Sequence, residues 1–480
     1  MRCDTLNENR ILFILVLGTL MGAVDTTIVL LAIPAMTQGL HTGLATTIWT
    51  IIIYLLVLAV STTQLGRIGD MYGRSKMFNV GFAVFTFGSL LCGLAPSGGA
   101  LVGFRALQAI GGALVEANSG AIIADTFARD RRGRAYGYTS LGWSIGAVLG
   151  IVLGGIITTF VGWRFIFLVN VPIGIAATIL GFRYVKDKNI TRAKMDLPGM
   201  ATLGAALGLI SYGLVNFASI GANTLNMAMV AIGGILIPVF IYLESIAASP
   251  MINLNAFKHK VLRYSIFASF LQALAYLSVT FLIIMYLQGI RGLSPFYAAL
   301  VLVPGYIVSS ILAPRMGKLS DRIGARILAT VGIALMAATV LVYLTLTISS
   351  SLYIIIGATI ISGIGSAMFW PANSSAVMAH ASQESHGSVS GLLRTMGSIG
   401  TLGSYVLSIT AASLAVSRAT AFKIFIGTST LIGGVSQKFL VGIDAALIVS
   451  FVLLVIAGLL SSFRGKDERS TPQPEHHEKK

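Results

Sequence analysis

The chain has 480 residues, of which 55% are hydrophobic and only 10% are charged. Soluble domains carry about a quarter charged residues, so this composition, with a mean hydropathy of +0.86, excludes a soluble protein and indicates a membrane protein. The net charge of +16 does not indicate a nucleic-acid-binding protein, because most Lys and Arg residues lie at the termini and in alternate connections between apolar segments.

Fourteen apolar stretches are predicted to form transmembrane helices, since a bilayer core requires about 20 apolar residues per helix. In chain order they are 11–33, 48–65, 77–95, 101–124, 135–161, 163–182, 197–217, 225–246, 262–287, 294–312, 327–346, 352–378, 389–416 and 443–463. The segment 417–442 fits either a loop hairpin or a weak helix.

The distribution of basic residues orients these helices through the positive-inside rule. Lys and Arg cluster after the even-numbered spans, for example in "RDRRGR" at 129–134, whereas the odd-numbered connections hold few of them. We therefore predict a multi-pass protein of the plasma membrane with both termini in the cytoplasm.

Two predicted cytoplasmic loops share a pattern at a constant offset of 251 residues. The first loop contains Gly66, Asp70, Gly73 and Arg74, and the second contains Gly317, Asp321, Arg322 and Gly324. The repeat predicts an all-α bundle of two six-helix halves, 1–190 and 258–463, with two inserted helices in 191–257 and a disordered cytoplasmic tail at 464–480. Repeated bundles with a binding site near the midplane are typical of secondary transporters.

Motifs along nearly the whole chain resemble the major facilitator superfamily. The loop "GRIGDMYGR" at 66–74 is similar to its signature loop. Four further segments resemble the fourteen-helix drug:proton antiporter branch of this superfamily. They are "VDTTIVLLAIP" at 24–34, "WRFIFLVNVPIG" at 163–174, "MDLPG" at 195–199 and "YLQGIRGLSPFYAALVLVPG" at 286–305. The resemblance implies proton-coupled export of amphipathic, often cationic, compounds. The chain shows no ATP-binding or hydrolase motif, so we expect no enzyme activity.

The first predicted helix contains one carboxylate, Asp25, in an otherwise apolar stretch. Asp25 lies nine residues before Pro34, and hence roughly 13 Å from the outer end of the helix. An ionised Asp at such a depth costs about 2.5–3.5 kcal/mol, so it requires a partner or a proton. We predict that Asp25 faces a central cavity rather than lipid.

The span 101–124 places Arg105, Gln108, Gly112 and Glu116 on one helix face, because their spacings of three and four follow the helical repeat. Arg105 enters from the outer side and is the expected partner of Asp25. The superfamily resemblance implies functional roles for Arg105 and Gln108, whereas Glu116 is selected by its position alone. We predict that this face and Asp25 bind proton and substrate; the alternative is a fixed structural ion pair.

The repeated loops are predicted to gate the cytoplasmic side. Asp70 is expected to pair with Arg74 or with the arginines of 129–134, and Asp321 is expected to act likewise in the second half. Such ion pairs can close one side in one state and break in the other. The alternative is a charged loop whose composition reflects topology alone.

Four glycines at 146–155 predict close packing between helices, since small residues let helices approach in a membrane. They are Gly146, Gly150, Gly154 and Gly155. This ladder resembles the antiporter motif of the superfamily except that Ile151 stands where the motif has proline. The departure leaves open a symporter or uniporter for a small metabolite.

A drug-sized pocket requires an apolar wall with few polar groups. The predicted wall contains Trp143, Tyr276, Gln288, Trp370 and Asn373. We expect an amphipathic small-molecule substrate, the proton as coupling ion, no metal or organic cofactor, and function as a monomer in the lipid bilayer. A non-transporting membrane sensor is the alternative from another class.

Overall fold

The computed structural model describes residues 2–127, 129–185, 195–252, 254–380, 386–415 and 435–465. Within these ranges the chain is helical almost throughout. The α-helices are α1 (Arg2–Ile28), α2 (Ile33–Gly39), α3 (Leu44–Tyr72), α4 (Arg74–Gly93), α5 (Gly98–Thr126), α6 (Arg129–Phe160), α7 (Phe165–Leu168), α8 (Asn170–Tyr184), α9 (Leu197–Ile220), α10 (Thr224–Ile246), α11 (Lys260–Met285), α12 (Pro295–Ile323), α13 (Ala325–Tyr343), α14 (Leu352–Ala379), α15 (His386–Ala415) and α16 (Val435–Phe463).

Thirteen candidate membrane spans lie in the described part of the chain. The first joins α1 to α2 through the 3-10 turn Leu30–Ala32, and another joins α7 to α8. The remaining predicted span, 389–416, corresponds to α15, which is 30 residues long. The predicted all-α membrane bundle is therefore confirmed. Of the ambiguous segment 417–442, the part before Val435 lies outside the described residues.

The two repeated loops have the same backbone geometry. Gly73 separates α3 from α4 with φ of 107°, and Gly324 separates α12 from α13 with φ of 94°. The amide of Gly73 donates to the Gly69 carbonyl at 2.8 Å, and that of Gly324 donates to the Ser320 carbonyl at 2.9 Å. Positive φ favours glycine, which explains why both loops carry glycine at this place. The boundaries of the two halves at 190 and 258 remain a prediction.

Helix packing separates the chain into three groups. In the first half, α1 packs on α6 and α5 packs on both α3 and α4; in the second half, α14 packs on α12 and α13. The halves meet where α6 lies against α12 and where α3 lies against α15. The inserted helices α9 and α10 pack on each other, and α9 contacts both α3 and α15.

Glycines bring α6 into direct backbone contact with α1. A Cβ atom on Gly150 would lie 2.8 Å from the Val24 carbonyl oxygen, and one on Gly154 would lie 2.8 Å from that of Ile28. Gly146 makes the same kind of approach to the Leu20 carbonyl. Gly155 points elsewhere, towards Pro295 and Ala299 at the start of α12. The stripe positions α1 within the first half, and the last glycine lies where the two halves meet.

Candidate functional site

A buried ion pair joins α1 to α5 inside the membrane-spanning part of the bundle. Nη1 of Arg105 lies 2.7 Å from Oδ2 of Asp25, and the side chains are 2% and 0% exposed. Gln108, one turn along α5, donates from Nε2 to Oδ1 of Asp25 at 2.8 Å and accepts from Arg105 Nη1 at 2.7 Å. The structure thus brings together three of the four predicted coupling residues.

Three further helices contribute to this network. Nε of Arg105 donates to the Thr50 carbonyl of α3 at 3.1 Å, and Nε2 of Gln108 donates to the Ser89 hydroxyl of α4 at 3.1 Å. Asn170 of α8 donates from Nδ2 to Oδ1 of Asp25 at 3.4 Å. Sequence reasoning missed Ser89 and Asn170, although a polar side chain inside an apolar span is the signal that could have found them.

Two aromatic rings enclose the guanidinium of Arg105. Its central carbon lies 4.2 Å from the ring centroid of Tyr54 and 5.5 Å from that of Phe167. Cation–π contacts of this kind gain strength when the cation is desolvated, as it is here. The hydroxyl of Tyr54 also interacts with the carboxylate of Asp25. Arg105 is therefore held by charge, hydrogen bonds and aromatic faces together.

A cavity of about 250 Å³ lies beside this network. Its lining consists of Gly18, Thr19, Met21, Gly22, Thr26, Tyr54, Leu58, Phe82, Phe85, Gly112, Val115, Glu116, Thr139, Trp143 and Arg394. The wall is mainly apolar and aromatic, with a few hydroxyls and two charged groups, which is the composition that suits an amphipathic ligand.

Asp25, which was predicted to face a central cavity, does not line this one. Asp25 is fully buried and is absent from the cavity lining, because its carboxylate turns towards Arg105 and Gln108. Tyr54 lines the cavity on one side and lies over Arg105 on the other. The aromatic ring therefore connects the cavity to the ion pair behind it.

Glu116 is the cavity's carboxylate, and its partner comes from the other half of the bundle. Oε1 of Glu116 on α5 lies 3.2 Å from Nη1 of Arg394 on α15, with side chains 30% and 40% exposed. Sequence reasoning missed Arg394, although an arginine inside the predicted span 389–416 was a visible signal. The pair can exchange partners with a ligand, because both charges are accessible from the cavity.

The predicted pocket wall divides into two groups. Trp143 lines the cavity and is 47% exposed. Tyr276, Gln288, Trp370 and Asn373 lie in the second half and are absent from the lining of this cavity. The cavity is built mainly by the first half.

The first repeated loop forms an ion-pair network around Arg74. Nε of Arg74 lies 2.6 Å from Oδ1 of Asp70, and Nη1 lies 2.9 Å from Oδ2 of Asp125. Asp125, near the end of α5, was not among the predicted partners. The structure does not describe the side chains of the arginines at 129–134 or of Asp321, and Arg322 is exposed.

A two-part membrane bundle with a buried ion pair behind a ligand-sized cavity is the arrangement of a membrane transporter. The chain belongs to the Major Facilitator Superfamily, whose family model matches residues 15–405. It is therefore a multi-pass membrane transporter of small molecules and not an enzyme.

Curated relatives include transporters and export proteins. The tetracenomycin C resistance and export protein of Streptomyces glaucescens is 31% identical over 82% of this chain and 74% of its own length. The multidrug resistance protein Stp of Mycobacterium tuberculosis is 29% identical over 82% and 73%. The riboflavin transporter RibZ of Clostridioides difficile is 27% identical over 80% and 84%. Export proteins among the relatives agree with the predicted branch.

Solved structures show the same fold. A bacterial homologue of the human lysosomal transporter Spinster, in an inward-facing and unoccupied conformation, superposes with a TM-score of 0.66 at 17% identity and covers 95% of this chain and 97% of that chain. The human organic anion transporter MFSD10 gives a TM-score of 0.64 at 13% identity, over 95% and 99% of the two chains.

Proposed function

We propose that the protein exports amphipathic or lipophilic small molecules across the plasma membrane in exchange for protons. The observation that carries this proposal is the pair of carboxylates on either side of Tyr54. Asp25 is buried with Arg105, whereas Glu116 lines an apolar cavity. In this proposal one carboxylate binds the proton and the other contacts the substrate. The names of two relatives, which refer to export and multidrug resistance, support the same direction.

Asp25 is the proposed proton site. Protonation removes its charge and so weakens the ion pair with Arg105, which is one of the contacts that hold α1 on α5. Loss of the proton restores the pair. The contact between α1 and α5 therefore differs in stability between the protonated and deprotonated forms of Asp25. This difference allows a proton to shift a conformational equilibrium.

Glu116 is the proposed contact for a cationic or strongly polar group of the substrate. A cation that enters the cavity competes with Arg394 for the carboxylate, and Arg394 belongs to the opposite half. A substrate that displaces Arg394 from Glu116 therefore breaks an ion pair between the halves. Alternating access requires such ties to form and break as the halves move.

A symporter or uniporter for a small metabolite is the second candidate. The cavity presents one carboxylate and one guanidinium, a combination that also suits a polar metabolite, and one relative is named a riboflavin transporter. Ile151 at the place of the antiporter proline is compatible with this alternative. A sensor that binds without transport is the remaining alternative.

One chain supplies both halves and the whole cavity, so we propose that the monomer is the working unit, with both termini in the cytoplasm. No organic cofactor is invoked, and the proton is the coupling ion.

The proposal is tested with the full chain in liposomes that contain a pH-sensitive dye. A lipophilic cation, a neutral amphiphile and riboflavin are added in turn under an imposed proton gradient. Proton movement opposite to substrate movement supports antiport. Movement in the same direction supports a symporter, flux insensitive to the gradient supports a uniporter, and binding without flux supports a sensor.

A further inference from the structure

A second group of buried carboxyls lies away from the cavity, where the inserted helices meet α3. Asp196 precedes α9 and is 8% exposed, and Glu244 lies near the end of α10 and is 2% exposed. Arg67 on α3 interacts electrostatically with both carboxyls. None of these three residues lines the cavity or belongs to the Asp25 network.

Each carboxyl group has one oxygen with a firm hydrogen bond. Oδ1 of Asp196 accepts from the Gly199 amide at 2.9 Å and so caps α9. Oε2 of Glu244 accepts from the Ile252 amide at 2.9 Å. These bonds fix the orientation of both side chains, because each carboxyl group is held by a backbone amide of the inserted segment.

The other two oxygens converge on one point. Oδ2 of Asp196 and Oε1 of Glu244 are buried and accept no hydrogen bond from a neighbouring group. Both flank Gly199, where a Cβ atom would lie 2.5 Å from the first oxygen and 2.7 Å from the second. Buried polar atoms are normally hydrogen-bonded, so two acceptors without a partner around the same glycine indicate a missing donor.

The balance of charges around the two carboxyls indicates that the missing donor is a proton on one of them. Among the described residues, the charged groups that act on Glu244 are Asp196 and Arg67, and Asp70 acts in turn on Arg67. Arg67 also donates to the carbonyls of Ser249 and Pro250, both at 2.6 Å. Two ionised carboxylates beside one guanidinium would leave an uncompensated buried charge, and a single proton removes it.

We propose that Asp196 and Glu244 share one proton between Oδ2 and Oε1, and that this protonated pair, together with Arg67, holds the inserted helices on α3. The site is separate from the substrate cavity and does not depend on the direction or substrate of transport. Because α9 contacts α3 of the first half and α15 of the second, loss of the proton loosens a segment that touches both halves.

Isosteric variants test this directly in the full-length protein. Glu244→Gln keeps an oxygen for the Ile252 amide and places an NH₂ donor where Oε1 faces Asp196. Asp196→Asn does the same from the other side. Infrared difference spectra between about pH 7 and about pH 9 detect a protonated carboxyl, since exposed Asp and Glu are already ionised there.

The spectra are recorded in an Asp25→Asn background, because Asp25 is itself a proposed proton site. In this background we expect a protonated-carboxyl band that titrates and is lost in both variants, while Glu116→Gln retains it. The native state then binds one proton more than the unfolded chain, so wild-type stability falls as the pH rises through this titration. In Glu244→Gln this pH dependence of the free energy of unfolding is expected to disappear. A band that persists in Glu244→Gln, or an unchanged pH dependence of its unfolding, would overturn the proposal even if Asp196→Asn fails to fold.

Discussion

Arg394 donates two hydrogen bonds to Glu116 across the interface between the halves. Its Nη1 lies 3.2 Å from Oε1 of the carboxylate and 3.3 Å from the backbone carbonyl of the same residue. A second contact between the halves joins α3 to α15, where the hydroxyl oxygens of Thr63 and Thr395 lie 3.2 Å apart. The cavity's carboxylate is thus occupied by an internal cation, which a cationic substrate has to displace.

Removing the internal cation should therefore tighten the binding of a lipophilic cation. An exposed ion pair is worth about 0–1 kcal/mol, so Arg394→Gln is expected to lower the Kd of tetraphenylphosphonium by up to about fivefold. Arg394→Lys keeps the charge and serves as the control, with little change in Kd. Isothermal titration of the purified protein measures both. Weaker binding in Arg394→Gln would argue against competition at Glu116.

The Asp25–Arg105 pair should show strong energetic coupling. Arg105→Gln leaves Asp25 buried without its cation and is expected to lower the free energy of unfolding by about 3–5 kcal/mol. The double variant Asp25→Asn with Arg105→Gln should lose less than the sum of the single variants, because neither charge is then left alone. Unfolding in mixed micelles measures the cycle. Strict additivity would show that the two side chains do not depend on each other.

The glycine stripe of α6 offers a matched pair of substitutions. A Cβ on Gly150 would lie 2.8 Å from the Val24 carbonyl and would also collide with Thr27, whereas one on Gly137 would meet nothing within 4 Å. Gly150→Ala is expected to cost about 1–3 kcal/mol through overpacking and to reduce transport, while Gly137→Ala should have little effect. Thermal unfolding and flux measured side by side provide the check. Equal effects of the two changes would contradict the packing described for α1 and α6.

Arg74 bridges two carboxylates, and we expect that replacing either of them with a neutral group affects gating more than stability. It contacts Asp70 four residues earlier and Asp125 on α5. Because the pairs are partly exposed, Asp125→Asn is expected to change stability by no more than about 1 kcal/mol. If the network gates one side, the variant should nevertheless increase labelling of a cysteine placed in the cavity at Thr139. Glu8→Gln, which removes a charge on α1, is the control for labelling.

The hydropathy pattern predicts the number of helices well, because crossing a bilayer requires a length of apolar chain that few other functions demand. Depth along the helix similarly predicts that Asp25 and Arg105 meet, since an isolated charge at that level is costly. The last helix begins earlier than predicted: α16 starts at Val435 and not at 443, because Phe439 is buried in the core and extends the apolar part of the helix.

Neutral partners were harder to predict. Ser89, Asn170 and Tyr54 lie on helices whose rotation about their axes is set by tertiary packing, and hydropathy does not encode that rotation. The same limit applies to Asp25: its depth is readable from the sequence, but the direction of its side chain depends on α5. Arg394 contributes through a contact between halves, which no local pattern reports.

In the proposed transport cycle, a substrate in the cavity displaces a proton from the buried network. Purified protein in weakly buffered detergent solution is titrated with tetraphenylphosphonium while the pH is recorded. We expect proton release in the wild type, binding without release in Asp25→Asn, and loss of binding in Glu116→Gln. Binding to the wild type with no proton release, or an undiminished release from Asp25→Asn, would contradict it.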